Sequence, residues 1–141
     1  MAAADINEIR ATVEKLIAEE LQSGPAVPVV FHNVPYTPTP NSSWVQCLTT
    51  FGRNQYLSQG STTNSRNRIF GLVTINIFSA PGVGPGANYA IGKRIRDLYN
   101  RVNVSGVFFD APIGPEALAS PAPEGYFQTQ VRVTFESIEE L

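Results

Sequence analysis

The sequence predicts one domain of the α+β class, with two main helices packed on a mostly antiparallel or mixed sheet. Three observations lead there. Arg68–Phe78 is an apolar, β-branched run with a period of two. A glycine- and proline-rich turn, Ser79–Gly86, follows it, and Ala87–Val102 then repeats apolar residues at close to 3.6-residue spacing, so a strand runs directly into a helix. Tyr126–Glu136 alternates apolar with polar residues, as an antiparallel strand with one exposed face does. At 141 residues and 43% hydrophobic, the chain is long enough for a real core and too short for two ordinary domains, so residues 1–141 are read as one unit.

Asp5–Gln22 spaces Ile6, Ile9, Val13, Leu16, Ile17 and Leu21 along one stripe and places charged residues around the rest of the wheel, which makes an amphipathic helix. Asp5 and Glu8 approximate a capping box, and Ser23-Gly24-Pro25 supplies the stop. The sheet and the second helix are expected within residues 27–136. Val27–Phe31 is a short strand that Pro28, with no amide proton, assigns to a sheet edge. His32–Pro40 holds Pro35, Pro38 and Pro40 and reads as an extended connector.

Trp44–Phe51 alternates on both faces and is a strand. Gly52–Asn67 is polar, with Arg53 and Arg66 (and Arg68 just beyond) as its charges and Tyr56 and Leu57 as its large apolar residues. It is expected to be a long loop, of the kind that either has a task or orders on a partner. In the central strand Phe70, Leu72, Thr74, Asn76 and Phe78 face one way and Ile69, Gly71, Val73, Ile75 and Ile77 the other, which predicts cover on both faces.

The second helix puts Tyr89, Ile91, Ile95, Leu98, Tyr99 and Val102 on one stripe and Lys93, Arg94, Arg96 and Arg101 on the remainder. Those four bases are the one concentration of positive charge. Val107–Phe109 is a further short strand ending at Asp110. Ala111–Gly125, with Pro112, Pro115, Pro121 and Pro123, is expected to be a loop, and Ser137–Leu141 a short acidic tail.

Charge and composition narrow the function classes. A formal net charge of −2 does not suit a dedicated nucleic-acid binder, which needs a basic excess to displace counterions from phosphates. Only 16% of residues are charged, and such a weakly charged polar surface suits a protein packed against neighbours. The single cysteine, Cys47, makes an internal disulfide impossible and is expected in a reducing compartment such as the cytoplasm.

The sharpest enzyme-like signal is Gly82-Val-Gly-Pro-Gly86, because amides at a helix N-terminus hold phosphate. A Walker loop would end in Gly-Lys-Ser/Thr where this chain has Gly86-Ala-Asn88. For the dinucleotide fingerprint the third glycine comes too early, and Asp110, the candidate ribose-binding acid, comes too late. Pro85 also removes an amide donor. A plain strand-to-helix turn is the simpler reading.

His32 has no second ligand type nearby, and Cys47, in mid-strand, reads as a small buried hydrophobe. Most acids lie in the first helix or the C-terminal tail, so no carboxylate pair is implied. The expectation is a protein that is not an enzyme and needs no catalytic residue, cofactor or metal.

The order of elements, the Gly71-centred strand running into Pro81-Gly-Val-Gly-Pro-Gly86, the Ile95-Arg-Asp-Leu98 helix and the closing Val131-Arg-Val-Thr-Phe-Glu136 strand resemble the tail terminator (tail completion) proteins of long-tailed bacteriophages. That resemblance covers nearly the whole chain. It implies a small α+β fold assembled as a homohexameric ring that caps the tail tube, ends tail polymerisation and joins the tail to neck and head-completion proteins. The ring would be assembled in the host cytoplasm and reside in the virion, with genomic DNA passing through its channel without sequence-specific binding and with no membrane contact.

On that reading the candidate interface residues are Arg53, Tyr56, Leu57, Arg66, Arg68, Pro112, Ile113 and Leu118, and the candidate channel-lining residues are Lys93, Arg94, Arg96 and Arg101. Alternatives are another neck or head-completion protein or, from a different class, a phosphate- or nucleic-acid-binding module using the Gly82–Gly86 turn.

Overall fold

A computed structural model of the protein describes residues 6–24, 26–32, 34–35, 37, 42–56, 66–80, 85–118 and 126–140. The elements, in order, are α1 (Ile6–Gln22), β1 (Val29–Phe31), β2 (Trp44–Tyr56), β3 (Arg66–Ser79), α2 (Gly86–Tyr99), β4 (Asn103–Val104), β5 (Val107–Phe109), β6 (Ile113–Ala117) and β7 (Phe127–Glu140). Among the described residues, two helices on one mixed sheet of seven strands make this an α+β fold.

The sheet runs β1-β2-β3-β7-β5-β4, and β6 also pairs with β7. All of its pairings are antiparallel except β1 with β2. The long antiparallel trio β2-β3-β7 is the frame. β3 is paired along its whole length on the β7 side, from Arg66↔Glu140 to Ser79↔Phe127. The far edge of β7 is shared, with β6 opposite Thr129–Arg132 and β5 opposite Phe135–Ser137. Val29–Phe31 lies at the other edge, where Pro28 had placed it.

Both helices lie on one face. Ile9, Val13, Ile17 and Leu21 of α1 and Ile91, Ile95 and Tyr99 of α2 form one buried cluster with Val45, Cys47, Val73, Ile75, Ile77, Val131, Val133 and Phe135. These strand residues are one parity of each strand, because side chains alternate across a sheet. The core admits few polar groups; the buried hydroxyls of Thr49 and Ser79 find no hydrogen-bond partner among the described residues, whereas others are bonded. The Tyr99 hydroxyl donates to the Val13 carbonyl at 2.8 Å, tying α2 to α1. Burial pushes the Cys47 thiol up to about 12, with the Glu14 charge as a smaller cause.

Two glycines sit where backbone or ring must approach closely. A Cβ on Gly71 would run into the Phe135 ring and stand 2.7 Å from the Thr50 carbonyl, so the Phe135 ring fills the space that β3 leaves opposite it. A Cβ on Gly92 would stand 2.8 Å from Cγ of Pro115, so this helical glycine is what lets β6 pass under α2.

Several expectations are corrected. Gly52–Asn67 is not one loop: β2 continues to Tyr56 and β3 begins at Arg66, with a register shift between Phe51 and Asn54. Strand pairing is a backbone property, and the bulge absorbs the extra residue, so the ladder outlasts the apolar pattern. Ala111–Gly125 likewise contains β6, whose irregular pairing between Ile113 and Glu116 accommodates Pro115, a residue tolerated at bulges and edges.

Ser137–Glu140 is strand and not tail, because β3 offers it partners from Ile69 to Arg66. The second helix ends at Tyr99, and Arg101 sits beyond it in a turn with φ 54°. Tyr89 is 42% exposed and not part of the buried stripe; its ring meets Phe127 edge-on. Asp5 lies outside the described residues.

Candidate partner-binding face

The second face of the β2-β3-β7 frame carries no helix among the described elements, which corrects the expectation that β3 is covered on both sides. Both helices are committed to the other face, and this one carries too much polar surface to recruit a third layer from the same chain. Register fixes its composition. Rows across the frame read Trp44-Phe78-Gln128, Gln46-Asn76-Gln130, Leu48-Thr74-Arg132 and Thr50-Leu72-Thr134, and Phe70 lies between Glu136 and the β2 bulge.

The face changes character along its length. At one end Trp44 and Phe78 stack at 4.2 Å between ring centroids and 15° between planes, and with Val30 and Tyr126 they form a small second cluster. Next comes a row of amides organised by Asn76. Its Nδ2 donates to Gln46 Oε1 at 3.1 Å, and its Oδ1 accepts from Gln128 Nε2 at 3.1 Å and Gln130 Nε2 at 3.0 Å. Asn76 is buried, so this bonding offsets the cost of desolvating its amide.

The other end mixes apolar and ionic groups. Leu72 and Phe70 are half-buried, and Phe108, opposite Glu136 on β5, is 42% exposed. Between β2 and β3 lies a depression of about 180 Å³ lined by Thr50, Phe51, Gly52, Phe70, Gly71 and Leu72. The charges around it pair locally. Arg68 Nε is 3.7 Å from Glu136 Oε2 and its guanidinium lies over the Phe70 ring, Arg132 reaches Glu116 at 2.8 Å, and Asp110 Oδ2 accepts from the Thr134 hydroxyl at 2.6 Å. A face with locally neutralised charges and half-buried apolar groups is suited to another protein surface and not to a polyanion.

The structure treats the expected interface residues unequally. Arg68 lies on this face. Ile113 is 56% exposed on β6, opposite Arg132. Pro112 and Leu118 flank β6, half-buried, and the Leu118 amide donates to the Gln128 carbonyl at 3.0 Å. Arg53, Tyr56 and Arg66 are in β2 and β3, not in a loop, and Leu57 lies outside the described residues. Phe70, Leu72 and Phe108 also lie on this face and were not among the expected interface residues. The signal was present, since β3 and β7 both alternate apolar with polar residues on the same parity, but the pairing that sets those parities side by side was not.

The four bases do not form one face. Arg94 turns toward α1, where its Nη2 donates to the carbonyls of Glu20 at 2.6 Å and Ser23 at 2.8 Å and its Nε lies 3.4 Å from the Glu20 carboxylate. It supplies the cation that the last turn of α1 lacks and satisfies carbonyls left without helical partners. Lys93 pairs with Asp97 at 2.6 Å, and its hydrogen bond holds that carboxyl below the usual range. Arg96 and Arg101 are exposed, and Arg101 lies outside the helix.

The candidate phosphate turn is partly outside the described residues, which resume at Pro85. Just beyond it, Asn88 is fully buried, donates to the carbonyls of Ile77 at 3.0 Å and Phe127 at 3.2 Å, and accepts from the Thr129 hydroxyl. This side chain locks the start of α2 onto the ends of β3 and β7. Asp110 lies at the far end of α2, where its carbonyl accepts from the Arg101 amide, five residues along β7 from Thr129 and so about 17 Å away at strand rise. The turn and the acid are not brought together. Among the described residues no group of three or more His, Cys, Asp or Glu side chains is placed to hold a metal.

No family model matches the chain, and no curated protein matches it. A solved structure superposes with a TM-score of 0.70 at 14% identity, over 94% of this chain and 95% of that one. The two share a fold. That neighbour's name states no activity or partner, so the likeness extends to architecture alone.

Proposed function

We propose that this protein is a structural virion protein, a tail terminator subunit that assembles with five more copies into a ring capping the phage tail tube. The ring ends tube polymerisation and connects the tail to neck and head-completion proteins. The observation that carries this reading is the open sheet face, where Phe70, Leu72 and Phe108 stand among paired charges with no helix over them among the described residues. A subunit that assembles needs such a surface.

The α+β fold is consistent with the resemblance in Arg68–Val102 and Val131–Glu136. Arg94 is engaged within the subunit, so the residues available to line a DNA channel are Lys93, Arg96 and Arg101. Among the described residues no helix is long and apolar enough to cross a membrane.

The test is negative-stain electron microscopy of the purified protein, alone and mixed with tail tubes lacking their terminator. Sixfold particles, and tubes capped at one end, are the expected result. Monomers in both samples would overturn the reading. Thermal stabilisation by a nucleotide, or tight salt-sensitive DNA binding, would transfer the case to a phosphate-handling module.

A further inference from the structure

We draw no further inference here: the strongest candidate, the open sheet face around the depression lined by Thr50, Phe70 and Leu72, belongs to the site already described, and nothing in the structure shows which partner surface covers it.

Discussion

The two faces of the β2-β3-β7 frame are made from alternate residues of the same strands, yet they obey different rules. On the helix side Val45, Val73, Ile75, Ile77, Val131, Val133 and Phe135 are buried to within 1% of completely. There the larger polar intruders are bonded or held neutral, since Asn88 spans two strand ends, Tyr99 bonds across to α1 and Cys47 stays a thiol, while the small hydroxyls of Thr49 and Ser79 are buried without a partner among the described residues. On the other side amides, hydroxyls and ion pairs separate the apolar residues, and Asn76 organises a row of side chains that bond to one another. The first face is specified by burial inside one chain. The second is only half specified, and that is the expected condition of a surface completed by another molecule.

Substitutions of matched kind on the two faces should separate these roles. The largest effect is expected from Ile75→Ala on the helix face, a loss of about 3–4 kcal/mol in urea unfolding from lost burial plus a residual cavity. A loss near 1 kcal/mol would mean that this face packs loosely and that the contrast drawn above is wrong.

Asn88→Ala follows, at about 2–3 kcal/mol, because it strips partners from the Ile77 and Phe127 carbonyls and the Thr129 hydroxyl inside the core. Asn88→Leu should not restore stability, since it replaces volume and not hydrogen bonds. Recovery by the leucine variant would show that the site is read by shape alone.

The third expectation concerns pH. The Cys47 thiol has its folded pKa raised from 9.0 to about 12, and Tyr99 is raised well above 10.0 by burial. Both groups are neutral when protonated, so the unfolded chain loses those protons first as pH rises. The Cys47 contribution is therefore complete below pH 9 and is lost as pH climbs through the window up to about 12, and that of Tyr99 begins to be lost as pH rises above 10.0, with a slope for each group of at most about 1.4 kcal/mol per pH unit. Urea midpoints measured from pH 7 to pH 11 check this, and Cys47→Ala should remove the part that begins near 9.

The smallest effect on stability is expected on the open face. Leu72→Ser should cost under about 1 kcal/mol, because its side chain is only half-buried, yet it should abolish ring particles in negative stain. Rings that persist in this variant would place the subunit contact elsewhere. A loss as large as that of Ile75→Ala would show that the second face is core after all.

Much of this was legible in the sequence, and the parts that were not share a cause. The stripe of α1 and the alternation of β3 and β7 could be read because burial imposes a period on them. β6 was not, because Pro112 and Pro115 signal a loop locally, while what makes the segment a strand is its pairing with β7 through a bulge on β6 itself and the bare backbone of Gly92 under the Pro115 ring, on an element twenty-three residues away in sequence. The extensions of β2 to Tyr56, β3 to Arg66 and β7 to Glu140 were hidden for a related reason: ladders join backbone groups and leave no mark on side-chain pattern.

The candidate site shows the same division. Arg94 is counted with Lys93, Arg96 and Arg101 by any linear reading, and only the packing of α2 beside the end of α1 gives it an internal task. The sequence by itself determined the class of fold, the two helices and the parity of each central strand, since these follow from hydrophobic periodicity within short windows. Tertiary structure alone decided which parity the helices cover, because that depends on which strand edges meet and on where both helices pack. The consequence was to leave Phe70, Leu72 and Phe108 on the side that neither α1 nor α2 covers.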